Sequence, residues 1–319
     1  MSADLLIIPA AVLLDWLIGD PRWLPHPVVI IGSLITFLEK QLRRVLRQEL
    51  LGGTLLLIGT VAITAGTAAL LLKLAYAISP AVGFAVALLF SWSCLAARSL
   101  HLQSALVARA LAGGDLAGAR RCLSLIVGRD TAGLKEPEIW RGTVETVAEN
   151  TADGVIAPLL CLMLGGPVLG LAYKAVNTLD SMVGYKNEKY LLFGRASARC
   201  DDLANWLPSR LTGLLLVLAT PFAGLSMQGA WRIMRRDGRN HSSPNSGIPE
   251  AAAAGALGVQ LGGTNYYFGR PVAKPAIGEP LHPVDLKAWQ GTIRLMYGAE
   301  TLLLVAWCLS LLLGGAPLH

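Results

Sequence analysis

Residues 50–97 read LLGGTLLLIGTVAITAGTAALLLKLAYAISPAVGFAVALLFSWSCLAA, and they are the clearest indication of how the chain is built. The one charged residue here is Lys73, which separates two uncharged runs, 50–72 and 74–97. A helix that spans a membrane needs about 20 consecutive apolar residues. The stretch therefore predicts two spanning helices joined as a hairpin, with the apex around residues 73–80.

Three more runs contain no charged residue, at 154–173, 211–231 and 301–318. Only 15% of the 319 residues are charged and 54% are hydrophobic, whereas soluble domains carry about 25% charged residues. We interpret the shorter apolar segment 5–19, which contains Asp15, as an uncleaved half-span because it lacks a basic leader and a cleavage site. This composition predicts an all-α polytopic integral membrane protein and excludes an ordinary soluble enzyme.

We expect the chain to form a single membrane-embedded domain over residues 1–319. Its successive parts are an N-terminal half-span with a turn segment, the transmembrane hairpin, a long region of polar loops with broken helices, and a C-terminal span, at residues 1–49, 50–97, 98–298 and 299–319. The five cysteines have no metal-ligand spacing and are expected to be free thiols.

Basic residues flank the hairpin on both sides and are nearly absent from its apex. By the positive-inside rule both flanks are cytoplasmic, and the active site is expected to face the same side. The runs 154–173 and 211–231 contain Gly and Pro near their middle, at 165–167 and 221–224, which favours re-entrant or discontinuous helices. Two ordinary spans with one basic loop outside are the alternative.

The segment 141–153, RGTVETVAENTAD, places Arg141, Glu145, Glu149 and Asp153 four residues apart. On a helix these side chains form one stripe. A solvated face with one ion pair explains Arg141 with Glu145, but it does not explain three stacked carboxylates, because like charges at this spacing repel. We therefore expect a cation among them, and Mg²⁺, a hard ion that prefers oxygen ligands, is the simplest candidate.

Two later segments, 173–190 and 193–210, mix basic, acidic and amide side chains next to apolar runs. The first is predicted to be helical to about Gly184. This composition is typical of a site that binds phosphates through Lys and Arg and through a metal, although basic side chains also extend from membrane boundaries toward water. The candidate residues are Lys174, Asn177, Asp180, Arg195, Arg199, Asp201 and Asp202.

Two polar segments lie at the ends of apolar helices. Asp20 and His26 belong to a proline-rich turn after the first apolar segment, and a rigid helix-ending turn explains them as well as a functional pair does. The segment 235–250, RRDGRNHSSPNSGIPE, contains Arg239 and precedes an Ala/Gly helix predicted over 251–263. The start of that helix offers N–H groups to a phosphate, but a polar loop on a core helix is the simpler interpretation.

Long, ordered motifs cover the chain: DWLIGDPRWLPHPVVIIG (15–32), GRDTAGLKEPEIWRGTVETVAENTADGVIAPL (128–159), YKAVNTLDSMVGYKNEKY (173–190), FGRASARCDDLANWLPSRLTG (193–213), RDGRNHSSPNSGIPEAAAAGALGVQLGG (236–263) and TNYYFG (264–269). In these motifs the chain resembles the adenosylcobinamide-phosphate synthase family (CobD/CbiB) of cobalamin biosynthesis. The resemblance extends over essentially the whole chain and includes no broken motif. AmpE-type membrane proteins are similar to the same family.

The resemblance implies an integral membrane ligase that uses ATP and Mg²⁺. Members of the family join the propionate carboxyl of adenosylcobyric acid to (R)-1-aminopropan-2-ol O-phosphate, or to ethanolamine phosphate, and release adenosylcobinamide phosphate. The implied partners are the corrinoid, the amino-alcohol phosphate, the lipid bilayer and other membrane enzymes of the corrinoid pathway, and nucleic acid is not among them.

The chemistry of that reaction suggests three groups of residues. The expected metal ligands are Glu145, Glu149, Asp153, Asp201 and Asp202. The expected phosphate- and nucleotide-binding residues are Arg129, Arg141, Lys174, Asn177, Arg195, Arg199 and Arg239. The residues expected to act as base or to bind the amino-alcohol phosphate are Asp20, His26, Glu149 and Asp180.

Two other functional classes are compatible with the sequence. A transporter also has broken helices with charged ends, although the chain contains no repeats long enough to supply alternating access. A membrane signalling protein of the AmpE type needs no ATP turnover. No Lys follows a Gly anywhere, so a nucleotide site would not be a P-loop.

Overall fold

A computed structural model describes residues 6–21, 26–185, 187–267 and 269–314, which are mostly helical. The elements in chain order are α1 (Ile7–Ile18), α2 (Pro27–Val45), α3 (Glu49–Ile78), α4 (Pro80–Trp92), α5 (Ala97–Ala112), α6 (Leu116–Ser124), α7 (Glu136–Asn150), the π-helix π1 (Thr151–Ile156), α8 (Ala157–Val183), α9 (Arg195–Ala204), α10 (Trp206–Ala223), α11 (Met227–Asp237), α12 (Gly247–Leu257), β1 (Gln260–Tyr267), β2 (Arg270–Gly278) and α13 (Leu286–Gly314).

The described residues divide into two compact units that interleave along the chain. Unit 1 takes Met1–Ala96 and Ala157–Asn205, and unit 2 takes Ala97–Ile156 and Trp206–His319. The chain passes from one compact unit to the other three times, between α4 and α5, between π1 and α8, and between α9 and α10. The expected single membrane-embedded domain stays a prediction.

Five helical stretches of the described residues are long and apolar enough to cross a membrane, which confirms the all-α membrane class. They are Glu49–Ile78, Pro80–Ala112, Glu136–Val183, Trp206–Ala223 and Leu286–Leu313. The expected half-span is the shorter apolar helix α1. The predicted cytoplasmic location of the two flanks of the hairpin stays a prediction.

The predicted hairpin in unit 1 is confirmed as α3 and α4, but its turn is tighter than expected. Helix α3 continues past Lys73 to Ile78, since a single Lys near the end of an apolar helix can extend its ammonium toward water. The Ser79 hydroxyl accepts a hydrogen bond from the Val82 N–H at 3.2 Å, and Pro80 occupies the first turn of α4. A cap residue followed by Pro therefore makes the turn.

Both predicted helix breaks are present. In α8 the backbone leaves helical geometry at Gly165 and Gly166, and Gly166 has a φ of 62°. In unit 2 the apolar run 211–231 forms two helices, because α10 ends at Ala223 and Gly224 has a φ of 68°. The second break therefore separates two helices rather than bending one.

The two-stranded sheet is a feature that sequence reasoning missed. Helix α12 was expected to reach residue 263, but it ends at Leu257, where Gly258 takes a left-handed conformation. Strands β1 and β2 then pair antiparallel from Gln260 with Gly278 to Tyr267 with Arg270. The apolar and small residues of 259–263 suit either a helix end or a strand, so hydrophobicity alone did not separate the two.

Candidate functional site

A small cavity of unit 2 lies among charged side chains from four parts of the chain. It has a volume of about 120 Å³. Its lining residues are Ile126, Val127, Gly128 and Arg129 from a loop, Glu145, Thr146, Glu149 and Asn150 from α7, Glu250 from α12, and Tyr267 and Lys274 from the hairpin formed by β1 and β2. Two of the three acids of the predicted stripe therefore face a cavity rather than open solvent.

Glu145 is held by donors on both carboxylate oxygens. The Arg129 guanidinium donates to Oε2 at 2.7 Å, and the Gly262 N–H donates to Oε1 at 2.8 Å. The Nε of Arg141 lies 3.8 Å from Oε1. Arg129, which comes from the loop before α7, therefore balances the negative charge of Glu145. The sequence had led us to expect a metal ion in this role.

Arg129 is itself buried, and its guanidinium also donates to the Asn265 side-chain oxygen. Asn265 belongs to β1 and is completely buried, and its amide nitrogen has no hydrogen-bond partner among the described residues. A planar guanidinium shared between a carboxylate and an amide is rigid. Arg129 therefore fixes the hairpin against α7, and its predicted phosphate-binding role stays a prediction.

Glu149 and Glu250 bring two more carboxylates to the cavity. Glu149 Oε1 accepts a hydrogen bond from the Ser246 hydroxyl at 2.7 Å, and Ser246 directly precedes the first residue of α12. Glu250, in the first turn of α12, is 3% exposed. Burial, followed by the nearby Glu149 and Glu145, raises the pKa of Glu250 well above its ordinary value.

His241 and Lys274 complete the cluster, and sequence reasoning had placed neither of them in the site. The Ser243 N–H donates to His241 Nδ1 at 3.0 Å, and His241 Nε2 lies 3.2 Å from Lys274 Nζ. Burial, and then the charge of Lys274, lowers the pKa of His241. His241 stands in a polar segment that was noted in the sequence, but nothing in the sequence indicated that Lys274 would reach α7.

The hairpin is fastened to the loop before α7 by backbone groups as well. The Asp130 N–H donates to the Tyr266 carbonyl oxygen at 2.8 Å, and the Gly269 N–H donates to Asp130 Oδ2 at 2.7 Å. The RD pair at 129–130 thus holds β1 and the hairpin turn, and this is the local reason why Lys274 lines the cavity.

Asp153, the last acid of the predicted stripe, lies in π1 rather than in α7. A π-helix has a wider turn than an α-helix, so the four-residue spacing no longer keeps Asp153 directly above Glu149. Helix α7 begins at Glu136 with Pro137 in its first turn, where proline is favoured.

Other predicted residues meet in unit 1. Asp201 is buried and accepts hydrogen bonds from Asn205 Nδ2 at 3.0 Å and from Asn177 Nδ2 at 3.4 Å. The Tyr173 hydroxyl donates to Asn205 Oδ1 at 2.7 Å. The structure therefore brings Asn177 and Asp201 together, as the sequence pattern suggested.

The remaining predicted residues of unit 1 differ in burial. Lys174 is buried, while Asp180 and Asp202 are half-buried. Arg195 and Arg199 are exposed, and so is Arg239 of unit 2, which is not among the lining residues of the cavity. Their predicted phosphate-binding roles stay predictions.

Asp20 and His26 form a pair in unit 1, with 3.3 Å between Asp20 Oδ1 and His26 Nε2. His26 also caps α2, because its Nδ1 accepts the Val28 N–H at 3.2 Å. His26 therefore stabilises the start of α2, and the predicted catalytic roles of Asp20 and His26 stay predictions. Arg22 and Pro25 of the same motif lie outside the described residues.

Within the described ranges 6–21, 26–185, 187–267 and 269–314, no group of three or more His, Cys, Asp or Glu side chains is arranged to hold a metal ion. In the cavity, both oxygens of Glu145 already accept hydrogen bonds. The metal-ligand assignments to Glu145, Glu149, Asp153, Asp201 and Asp202 stay predictions.

The fold and the site together define a polytopic membrane protein with a buried, charged centre in unit 2. The family described as CobD/Cbib protein matches residues 8–296, and the chain belongs to this family. The resemblance noted in the motifs is therefore confirmed.

Several relatives are similar over nearly their full length. The chain is 70% identical to the cobalamin biosynthesis protein CobD of Geobacter metallireducens over 299 residues, which cover 94% of each chain. It is 56% identical to the CobD protein of Pelobacter propionicus, over 93% of this chain and 92% of the relative. It is 51% identical to the cobalamin biosynthesis protein CbiB of Salmonella arizonae, over 91% and 92%. No solved structure matches.

Proposed function

We propose that this chain is a membrane ligase of cobalamin biosynthesis that joins adenosylcobyric acid to an amino-alcohol phosphate with consumption of ATP. The names of its relatives support the pathway. The observation that carries the reaction type is the cavity of unit 2, where Glu149 and Glu250 lie beside Lys274 and His241. Acids and cations in one buried space suit a reaction that moves both a phosphoryl group and a proton.

The reaction needs these two transfers because a carboxylate does not react with an ammonium ion in water. In the first step, a propionate oxygen attacks the γ-phosphorus of ATP, the bond to the β-phosphate oxygen breaks, and ADP leaves. In the second, the deprotonated amine attacks the acyl phosphate carbon, inorganic phosphate leaves, and the amide remains. Cationic side chains stabilise the phosphoryl charge, and a carboxylate accepts the ammonium proton.

Within this scheme Glu149 is the proposed base. One of its oxygens is fixed by Ser246, which orients the carboxylate toward the cavity wall that it shares with Glu250. Asp20, His26 and Asp180 of unit 1 stay alternatives for the same role. Mg²⁺ enters the proposal only as the counter-ion of the nucleotide phosphates, which it shields when bound.

The test is an assay of the purified full-length protein with ATP, Mg²⁺, adenosylcobyric acid and aminopropanol phosphate, followed by mass spectrometry of the corrinoid. We expect the amide product and one ADP per amide. Glu149→Gln is expected to lose at least 100-fold in turnover, the lower range for loss of a general base, with unchanged membrane insertion. Glu188→Gln, an exposed acid of unit 1, is the matched control and should retain activity.

The same assay separates the other classes. Movement of the corrinoid across vesicles without a change of mass would indicate a transporter. Neither product nor movement would indicate a signalling protein and would contradict the ligase proposal. Near-normal turnover of Glu149→Gln would remove Glu149 as the base but would leave the ligase intact.

A further inference from the structure

Lys274 is the cation of the cavity that has no acid partner of its own. It lies in β2 opposite Gly263 of β1 and lines the cavity. No Asp or Glu in the described part of the chain lies within ion-pair distance of its ammonium group, although Arg129, on the same cavity, has Glu145 at 2.7 Å. A half-buried ammonium without a counter-ion is suited to bind an anion.

The contact between Lys274 and His241 does not satisfy the ammonium group. His241 Nδ1 accepts the Ser243 N–H, so a neutral imidazole carries its hydrogen on Nε2, the atom 3.2 Å from Lys274 Nζ. Burial favours the neutral ring. Two donors therefore lie side by side, and an acceptor within reach of both would receive a hydrogen bond from each.

The neighbouring acid Glu149 restricts which anion fits. It lines the same cavity, and its carboxylate would repel a lone phosphate there. A phosphate that carries its own positive charge avoids this repulsion, and either Mg²⁺ on a nucleotide or an ammonium group in the same molecule would supply that charge.

Size favours the second of these sources. The cavity has a volume of about 120 Å³, whereas pockets that enclose larger ligands measure about 300–1,000 Å³. The cavity can therefore enclose a small zwitterion with an ammonium and a phosphate group, but only part of a nucleotide.

We propose that Lys274 binds the phosphate of the amino-alcohol phosphate, with the donor hydrogen of His241, and that Glu149 faces its ammonium group. The inference rests on the proposed ligase function and names the site of its smaller substrate. It also assigns that substrate to unit 2, whereas three of the four residues that the sequence had suggested, Asp20, His26 and Asp180, belong to unit 1.

The test measures binding by titration calorimetry on the full-length protein in detergent, without ATP or corrinoid. The ligands are aminopropanol phosphate and ethanolamine phosphate. Lys274→Met is expected to weaken their binding about 10- to 100-fold, the usual effect of losing a charge-assisted hydrogen bond. Lys274→Arg should remain within a few-fold of wild type. Lys287→Met, an exposed lysine of α13, is the matched control and should bind normally.

Truncated ligands test each end of the zwitterion. Wild type should bind 1-aminopropan-2-ol, which lacks the phosphate, and isopropyl phosphate, which lacks the amine, more weakly than the complete ligand. In Lys274→Met, the advantage of the complete ligand over 1-aminopropan-2-ol should shrink to the part that His241 supplies. Normal binding of the complete ligand by Lys274→Met would overturn the inference. In a separate titration with Mg·ATP, a loss confined to the nucleotide would overturn it too, since Lys274 would then bind the nucleotide.

The two proposals fail in different ways. If aminopropanol phosphate binds through Lys274 but no amide forms, the binding site stands and the ligase does not. If amide forms while Lys274→Met retains a wild-type KM for the amino-alcohol phosphate, the ligase stands and the assignment of Lys274 is wrong. Circular dichroism and the near-normal binding of Lys274→Arg show that any loss in Lys274→Met is not a loss of folding.

Discussion

Arg129 and Lys274 line the same cavity, yet their surroundings give them different tasks. Arg129 is buried and bound to Glu145 and Asn265, so its charge is used inside the protein. Lys274 has only the ring of His241 at hydrogen-bonding distance. At the scale of single residues, the first cation is structural and the second is available to a ligand.

Loss of Arg129 is expected to destabilise unit 2, because Glu145 would keep a buried charge with one strong donor fewer. For Arg129→Met we expect a loss of about 3–5 kcal/mol in the free energy of unfolding, the usual cost of breaking a buried ion pair. Chemical denaturation in detergent measures it. The double variant Arg129→Met/Glu145→Gln should recover part of the loss, and Arg239→Met, at an exposed position, should cost little.

Asp237 provides a stability effect that depends on pH. Hydrogen bonding to Arg236, and also to the Gly278 N–H, lowers the pKa of this buried carboxyl below its ordinary value of 3.8. Because the folded pKa is below the unfolded one, the stabilisation is complete above the unfolded pKa and is lost as the pH falls through the folded pKa.

Asp237→Asn should therefore cost about 1–3 kcal/mol at pH 7, the range for a hydrogen bond to a charged group. The difference from wild type should shrink as the pH drops below about 4. Unfolding curves at several pH values measure both effects. A difference that stays constant down to pH 2 would contradict the role of the charge.

At the scale of elements, helices of unit 2 approach closely where glycines cross. A Cβ on Gly229 of α11 would collide with the carbonyl oxygen of Gly255 in α12, and a Cβ on Gly255 would collide with that of Gly229. Side chains are therefore excluded from this crossing, which lets α12 bring Glu250 to the cavity from a tightly packed helix pair.

Gly229→Ala and Gly255→Ala are each expected to lower the free energy of unfolding by about 1–3 kcal/mol, because the added methyl group forces backbone atoms apart. Gly66→Ala is the control, since nothing lies within 4 Å of the added carbon in α3. Its effect should be neutral or slightly stabilising. Equal thermal stability of all three variants would show that the crossing is not tight.

For the whole molecule, the orientation in the membrane follows from the distribution of basic residues. The apex of the α3–α4 hairpin is nearly free of them, and both flanks are rich in them. In a background with all five cysteines replaced by Ser, Ile78→Cys at the apex should react with a membrane-impermeant maleimide added to intact cells. Lys135→Cys should react only after the cells are opened.

Both positions are exposed, so burial does not explain a difference in labelling. The reverse labelling pattern would place the flanks outside and, with them, the loop that carries Arg129.

Properties that depend on local pattern were predictable. Uncharged runs of sufficient length revealed the spanning helices, and Gly with Pro revealed the breaks at Gly166 and Gly224. The Ala/Gly composition after residue 250 revealed α12, although that helix begins at Gly247 and ends at Leu257. In each case the pattern that makes the prediction lies in the same segment as the feature that it predicts.

The cavity could not be predicted in this way. The sequence established an apolar helical chain and an acidic stripe on α7, because side-chain periodicity and composition are properties of residues that are close in sequence. Only the tertiary structure showed that Arg129 neutralises Glu145 and that a hairpin carries Lys274 to the same place. Contacts between different elements, whether 16 positions apart as for Arg129 with Glu145 or 117 apart as for Gly262 with Glu145, depend on how the elements pack. That packing leaves no mark in the spacing of the residues themselves.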